Sequence, residues 1–274
     1  IFQSECSDRA AYRSRSNGSR PMDGRGIKRV MKNRFYFTTA AFPNMITLLN
    51  AVAGFFSILM SIHGKYEYAS WLIFLALVLD SLDGHVARIF GNETLFGREL
   101  DSLADVVSFV LAPCIFMATF FAPKTLPTLI FFLLVIVFFL CSGIFRLARF
   151  NVNPTLGGYF EGLPTPAAAL TLSMTLVAFH KNQWGGHSLY GLVLMTALAF
   201  LMVSDIPYPK VSAIKFRTWR TLFIVQLVLF MATFFFMNIE SAIAVVFLVF
   251  LVLAPFYCAA GGENEDSSKE KGKA

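Results

Sequence analysis

Long apolar runs alternate with short polar breaks along most of this chain. Each run is close to the length of about 20 residues that an α-helix needs to cross a bilayer. None shows the strict alternation typical of a transmembrane β-barrel, and breaks such as His63-Gly64-Lys65 and Gly185-Gly186 separate them. We therefore predict an all-α, polytopic membrane bundle of about eight transmembrane helices, at residues 43–62, 67–91, 98–121, 126–149, 164–180, 188–205, 220–237 and 240–258.

The composition also indicates an integral membrane protein. Of the 274 residues, 56% are hydrophobic and 15% are charged, and 31 are Phe. Soluble domains carry about a quarter of charged residues. The four cysteines show no paired spacing, so we predict neither a disulfide framework nor a zinc site.

The pattern divides the chain into three parts. Residues 1–42 are predicted to form a basic, partly disordered arm, with nine of the 23 Lys and Arg residues between positions 9 and 34. Within this arm, residues 27–42 mix basic and aromatic side chains, which fits an interfacial helix and a plain linker equally. Residues 43–258 form the predicted transmembrane domain, and residues 259–274 form a charged tail that we expect to be disordered.

Basic residues predict how the bundle is oriented. With the N-terminus inside, the inner loops carry eight Lys and Arg residues and the outer loops carry three. This asymmetry favours an N-in, C-in topology. The net charge of +6 then reflects attraction to anionic lipid head groups, and we do not expect nucleic acid as a partner.

Four aspartates interrupt the second and third predicted spans, at the ends that this topology places on the cytoplasmic side. Asp80 and Asp83 are three residues apart, and Asp101 and Asp105 are four apart, so each pair shares a helix face. Small residues on these faces leave room for a ligand, namely Gly84, Ala87 and Gly97. Four carboxylates repel one another and the nearby arginines cannot neutralise them, so we predict divalent cations with oxygen ligands.

A structural role and an ion path are the two alternatives to a metal site for these aspartates. A single aspartate at a helix end is most often a cap or a solvated charge, although four of them among Gly, Ala and Arg on two apolar helices are hard to explain in that way. Intramembrane carboxylates can also mark an ion path, as in a divalent-cation transporter. Against a transporter, the acids lie at one face of the membrane, and Arg88 lies among them.

The spacing of these residues resembles the motif of the CDP-alcohol phosphotransferase family, and it reads Asp80-x-x-Asp83-Gly84-x-x-Ala87-Arg88, eight residues, Gly97-x-x-x-Asp101-x-x-x-Asp105. The resemblance implies two divalent cations, Mg²⁺ or Mn²⁺, bound by Asp80, Asp83, Asp101 and Asp105 at the cytoplasmic face. It implies that Asp105 is also the general base. It further implies that a site for the cytidine diphosphate of CDP-diacylglycerol is lined by Gly84, Ala87, Arg88 and Gly97.

Three residues outside the fixed motif extend this donor site by the same resemblance. Asn44 and Thr47, at the start of the first span, resemble the nucleotide-facing pair of the family. Asn44 could equally be the N-cap of the first helix, a position that Asn favours. Thr94, six residues after Arg88, is expected to hydrogen-bond the donor.

Further segments resemble the branch of the family that uses L-serine as acceptor, and these are residues 101–109, 145–152, 162–169 and 208–210. Within them, Arg146, Arg149 and Asn151 are expected to bind serine or phosphate, because Arg suits bidentate capture of both groups. Ordinary positive-inside anchoring is the alternative for the two arginines. Glycerol 3-phosphate and inositol or its phosphate are the alternative acceptors within the family.

The resemblance also implies where the protein works and in what form. It implies an integral membrane homodimer in a bacterial cytoplasmic membrane, with the active site facing the cytoplasm. CDP-diacylglycerol would enter from the bilayer, and serine would enter from the cytoplasm.

Overall fold

The computed structural model describes residues 24–90, 94–121, 123, 125–152, 159–183, 187–209, 226–227, 229–233 and 238–253. The α-helices discussed below are α1 (Gly24–Ile62), α2 (Tyr66–Phe90), α3 (Leu95–Asp105), α4 (Ala112–Phe120), α5 (Leu126–Val152), α6 (Thr165–Lys181), α7 (His187–Val203) and α8 (Ile239–Leu253). A π-helical segment, Val106–Leu111, joins α3 to α4. Two short strands, β1 (Tyr159–Glu161) and β2 (Pro207–Pro209), form an antiparallel pair.

Four stretches of the described residues are long and apolar enough to cross a membrane: Pro43–Ile62, Tyr66–Val86, Phe96–Phe120 and Leu126–Val152. Two shorter apolar helices, Leu189–Val203 and Ile239–Leu253, accompany them. The predicted all-α membrane bundle is therefore confirmed. The count of eight spans and the N-in, C-in topology stay predictions, and the span expected at 220–237 lies largely outside the described residues, being helical at 226–227 and 229–233.

The first helix is longer than the sequence pattern suggests. The backbone of α1 is helical from Gly24 to Ile62 without a break, and Pro43 lies inside it. The linker alternative for residues 27–42 is therefore wrong, and so is the N-cap alternative for Asn44, which lies within the helix. Pro43 has no N–H, so α1 lacks one of its i to i−4 hydrogen bonds here.

The third predicted span is composite. The chain leaves α-helical geometry directly after Asp105, forms the π-helical segment, and resumes as α4 at Ala112. Single π-helical turns are frequently found at functional sites. Neighbouring helices come very close to this segment: a Cβ on Gly54 of α1 would lie 2.6 Å from Ser108 Cα, and one on Gly143 of α5 would lie 2.8 Å from Val110 Cγ2.

Helix α6 is the buried centre of the bundle, although its sequence is less apolar than its neighbours'. Its residues from Ala167 to Ala178 are buried throughout. Two hydroxyl groups of this stretch donate back to their own helix, Thr171 Oγ1 to Ala167 O at 2.7 Å and Ser173 Oγ to Ala169 O at 2.9 Å. These bonds satisfy both donors without water, whereas Thr175 Oγ1 is buried with no hydrogen-bond partner among the described residues.

The β1–β2 pair is a feature that the sequence pattern did not predict. It pairs Phe160 with Tyr208 and so connects the chain that follows α5 to the chain that follows α7. Tyr208 is fully buried in the core. Gly162, just after β1, has φ +76°, and a Cβ there would lie 2.6 Å from Met202 O, so the turn requires glycine.

An ion-pair cluster lies at the end of the bundle that is remote from Asp80. Lys181 Nζ lies 2.9 Å from Glu240 Oε1 and 3.0 Å from Glu67 Oε2, so it joins α6, α8 and α2. Burial lowers the pKa of Lys181, but the hydrogen bonds to Glu240 and Glu67 outweigh it and the net pKa is raised. Glu67 and Asp80 lie 13 residues apart on α2, which is about 20 Å at 1.5 Å per residue.

Candidate metal and substrate site

Three of the four predicted aspartates converge. One carboxylate oxygen each from Asp80 on α2 and from Asp101 and Asp105 on α3 lies within 4.8 Å of the others. Asp80 is on the last turns of its helix, while Asp101 and Asp105 are one helical turn apart and share a face. Asp105 is 8% exposed, while Asp80 and Asp101 are partly buried, so the group extends from the interior toward the surface.

Asp83 does not belong to this group of three. Thr47 Oγ1 on α1 donates a 2.7 Å hydrogen bond to Asp83 Oδ2, and Asp83 is 6% exposed. Residues at i and i+3 on a helix are separated by about 60° around its axis at 3.6 residues per turn. Asp83 therefore contacts α1 while Asp80 lies toward α3, yet Asp83 also interacts electrostatically with Asp80 and Asp101. Three carboxylates thus meet closely with the fourth beside them, and the assignment of all four as metal ligands stays a prediction.

Asn50 of α1 is a site residue that the motif did not identify. Its side chain is fully buried, and Nδ2 donates a long hydrogen bond of 3.4 Å to Asp105 Oδ1. The signal was present in the sequence, because Asn44, Thr47 and Asn50 follow one another at intervals of three in an apolar run. That spacing places them on one side of the helix.

The predicted donor-site residues of α1 and α3 lie next to one another. Thr94 is the N-cap of α3, and its Oγ1 accepts a hydrogen bond from Gly97 N at 3.0 Å. A Cβ on Gly97 would lie 3.2 Å from Asn44 Oδ1, so glycine there leaves space beside both polar side chains. Gly84 lies on α2 between the aspartates and the helix end, and the side chains of Ala87 and Arg88 lie outside the described residues.

Arg146 brings a positive charge to the three carboxylates. It lies on α5, is 7% exposed, and interacts electrostatically with Asp105 and Asp80. Its Nη1 donates a 2.8 Å hydrogen bond to Thr165 Oγ1. Its Nε is buried and has no hydrogen-bond partner among the described residues. A guanidinium so deeply buried is more than a positive-inside anchor.

The other two predicted acceptor residues have different partners. Arg149 Nη1 lies 2.9 Å from Asp205 Oδ1, and its Nη2 donates to Ser204 O at 3.3 Å, at the end of α7. The guanidinium groups of Arg146 and Arg149 contact different elements, and the expectation that each binds serine or phosphate stays a prediction. Asn151 exchanges hydrogen bonds of 2.9 and 3.1 Å with Ser102, the residue after Asp101.

The donor set fits a divalent cation. Carboxylate oxygens are hard ligands of the kind that Mg²⁺ and Mn²⁺ prefer. Asp101 Oδ1 is buried without a hydrogen-bond partner among the described residues. When all are ionised, the four aspartates and the Arg146 guanidinium carry a net charge of −3, which is more than one divalent ion balances.

Comparison with known proteins agrees with this geometry. A family model described as CDP-alcohol phosphatidyltransferase matches residues 40–203, more than half of the chain. The archaetidylserine synthase of Methanothermobacter thermautotrophicus is 38% identical over 69% of this chain and 78% of its own length. A CDP-diacylglycerol–serine O-phosphatidyltransferase of Helicobacter pylori is 33% identical over 73% of this chain and 84% of its own. One of Saccharomyces cerevisiae is 42% identical over 47% of this chain and 51% of its own.

Proposed function

The chain belongs to the CDP-alcohol phosphatidyltransferase family, and from this premise we propose that it transfers the phosphatidyl group of CDP-diacylglycerol to the hydroxyl of L-serine. Phosphatidylserine and CMP are the products. The observation that carries this proposal is the group of Asp80, Asp101 and Asp105 with the buried Arg146 beside it. The relatives' names support serine as acceptor, since bacterial, archaeal and yeast proteins share it in their names.

Asp105 is the proposed general base. A serine hydroxyl is a poor nucleophile at neutral pH, and a carboxylate within hydrogen-bond reach can accept its proton during attack. The serine oxygen forms a bond to the phosphatidyl phosphorus, the bond from that phosphorus to the CMP oxygen breaks, and the serine proton passes to Asp105. CMP takes the electron pair of the broken bond.

Divalent cations complete the proposed site. We infer two ions, Mg²⁺ or Mn²⁺, held by Asp80, Asp101 and Asp105, with Asp83 as a ligand of one of them. When bound, they would neutralise the diphosphate and stabilise the charge on the leaving CMP. Thr47 donates to only one lone pair of the Asp83 carboxylate, and a carboxylate offers about four, so Asp83 can bind a cation as well.

Arg146 is proposed to bind the acceptor. A guanidinium pairs with a carboxylate through two parallel hydrogen bonds, and Arg146 is buried next to the proposed base, where the carboxylate of serine would arrive. Arg149 and Asn151 are proposed to support this site from its edge. Arg149 holds the end of α7 through Asp205, and Asn151 holds Ser102 beside Asp101.

The donor is proposed to lie along α1, α2 and the start of α3. Asn44, Thr94 and Gly97 are adjacent in the structure and would contact the cytidine diphosphate. Gly84, Ala87, Arg88 and Thr47 would complete this surface. We further propose a homodimer in a bacterial cytoplasmic membrane with the site facing the cytoplasm, consistent with the basic residues of the predicted inner loops.

Purified protein in lipid nanodiscs tests the reaction. CDP-diacylglycerol and Mg²⁺ or Mn²⁺ are supplied with L-serine, glycerol 3-phosphate, inositol 1-phosphate or no acceptor, and CMP release and the lipid product are measured. We expect serine-dependent CMP release and phosphatidylserine, and neither after chelation of the metal. CMP release with a phosphorylated acceptor but none with serine would contradict the proposal. Cation flux into sealed vesicles without transferase activity would favour a transporter instead.

A further inference from the structure

Two buried side chains beside Asp105 each leave one polar atom without a hydrogen-bond partner among the described residues. On α1, Asn50 leaves its acceptor Oδ1, and on α5, Arg146 leaves its donor Nε. Asn50 is 0% exposed and Arg146 is 7% exposed. A buried polar atom without a partner costs free energy, and in a binding site the missing partner is often a ligand atom.

The Asn50 amide is oriented by its neighbour. Its NH₂ group is the end that faces Asp105, where Nδ2 donates to Oδ1 at 3.4 Å. The acceptor Oδ1 is therefore the end of the amide that is left for another donor. Asparagine oxygen is uncharged, so it can receive an ammonium group without adding a further negative charge to the three carboxylates.

The position of Asn50 relative to Asp105 is fixed by the backbone. Asn50 O accepts a 2.9 Å hydrogen bond from Ser108 Oγ in the π-helical segment. One turn further along α1, Gly54 packs so closely that a Cβ would lie 2.6 Å from Ser108 Cα. These two contacts hold α1 against the chain directly after Asp105, so the amide and the proposed base keep one geometry.

The acceptor Asn50 Oδ1, the donor Arg146 Nε and the proposed base Asp105 match the three polar groups of a hydroxy amino acid. Serine carries an ammonium group that donates, a carboxylate that accepts, and the hydroxyl that reacts. We propose that Asn50 selects the acceptor, with its Oδ1 receiving the ammonium group of an amino-acid substrate while Arg146 receives the carboxylate and Asp105 faces the hydroxyl. This inference rests on the proposed function and names the residue that recognises the amino group.

Acceptor analogues test the assignment. The compound 3-hydroxypropionate keeps the hydroxyl and the carboxylate of serine but lacks the ammonium group, and ethanolamine lacks only the carboxylate. The two variants are Asn50→Ala and Asn50→Leu, the latter close to asparagine in shape. Both should lower kcat/KM for serine about 10- to 100-fold more than for 3-hydroxypropionate, the range for losing a hydrogen bond to a charged group. Arg146→Gln should instead lower kcat/KM for serine and for 3-hydroxypropionate more than kcat/KM for ethanolamine, which has no carboxylate.

The ratio of kcat/KM for serine to kcat/KM for 3-hydroxypropionate distinguishes recognition of the ammonium group from positioning of Asp105. Both acceptors use Asp105, so any misplacement of the base lowers their turnover alike and cancels in the ratio. Where turnover of 3-hydroxypropionate is too slow to measure, inhibition by L-alanine and propionate gives the same comparison, since only alanine carries the ammonium group. Ser108→Ala is the matched control, because it removes the bond to the Asn50 backbone and leaves the amide in place. Its ratio should equal that of the wild type.

Each possible result either supports or overturns the contact between Asn50 and the ammonium group. Equal losses for serine and 3-hydroxypropionate in both Asn50 variants would overturn the ammonium contact and leave Asn50 as a residue that positions Asp105. A changed ratio in Ser108→Ala as large as that in Asn50→Leu would overturn it as well, because packing alone would then be sufficient. A wild-type protein that releases no CMP with serine would instead refute the proposed function, so the two failures are distinguishable.

Discussion

Thr47 holds Asp83 across the interface of the first two helices, with its hydroxyl donating a 2.7 Å hydrogen bond to the carboxylate. Thr47 Oγ1 also lies 3.2 Å from Pro43 O, so the hydroxyl bridges the proline carbonyl and the aspartate. This bond ties Asp83 to α1 while the carboxylate still interacts electrostatically with Asp80 and Asp101. Removing the bond tests how much it contributes to stability.

Thr47→Val keeps the shape of the side chain and removes the donor. It should lower the free energy of unfolding by about 1–3 kcal/mol, because the buried Asp83 would lose this hydrogen bond and keep the one from the Gly84 backbone. Thermal unfolding in detergent measures the loss, and Thr47→Ser, which keeps a hydroxyl, is the control. If valine and serine gave the same Tm as the wild type, the hydrogen bond would contribute nothing to stability.

Asp105→Asn removes the proposed base and keeps its volume. We expect kcat to fall about 10²- to 10⁴-fold, the usual contribution of a positioned acid or base, while binding of CDP is largely retained. Asp80→Asn should weaken Mn²⁺ binding and turnover together. Steady-state CMP release and Mn²⁺ titration by electron paramagnetic resonance make the comparison. A near-normal kcat in Asp105→Asn would rule out its role as base.

Gly54→Ala should push α1 away from the π-helical segment. The new Cβ would meet the backbone of Ser108, which cannot rotate aside, and overpacking of this kind costs about 1–3 kcal/mol. Turnover should fall too, because Asn50 and Asp105 would separate. Gly143→Ala is the matched control: its Cβ meets the Val110 side chain, which can adjust, so both losses should be smaller. Larger losses in Gly143→Ala than in Gly54→Ala would contradict this prediction.

The ion-pair cluster at the far end of α2 should affect stability and leave chemistry unchanged. Lys181→Met leaves the Glu240 carboxylate, whose side chain is 4% exposed, buried without a cation, and should cost about 3–5 kcal/mol. Glu240→Gln should cost less, because Lys181 keeps Glu67. The measurements are Tm and the kcat of the folded fraction. A large fall in kcat at temperatures where the variant is folded would show coupling between the two ends.

The raised pKa of Lys181 gives this cluster a defined pH dependence. A lysine whose pKa is higher in the folded protein stabilises it fully below the pKa of the unfolded chain. That contribution is lost as the pH rises through the higher folded value. The stability difference between the wild type and Lys181→Met should thus be constant near neutral pH and shrink only in strongly alkaline buffer.

The sequence identified the aspartates because helical periodicity alone determines which residues of one helix share a face. The spacing of four was sufficient to predict that Asp101 and Asp105 share a face. A charged residue within an apolar run was sufficient to mark Asp80 as a site residue. Asp83 could not be placed in the same way, because its direction depends on Thr47 of another helix. The separate partners of Arg146 and Arg149 likewise depend on Thr165 and on Asp205 at the end of α7.

Backbone departures from ideal helices were harder to predict. Pro43 suggests a helix start by its chemistry, yet α1 continues through it. The π-helical segment has an ordinary apolar sequence, and what distinguishes it is the close approach of α1 and α5 at Gly54 and Gly143. Both features are set by packing between helices, which a single apolar run does not reveal.

The π-helical segment also constrains how this chain can change in length. Its six residues, 106–111, absorb one more residue than a regular helix would over the same rise. Because the wider turn takes up the extra residue, deleting one residue would restore an α-helix with Asp101 and Asp105 in nearly the same direction relative to α4. Deleting a second would turn them by about 100° at 3.6 residues per turn, so the number of residues between Asp105 and Ala112 is part of the site.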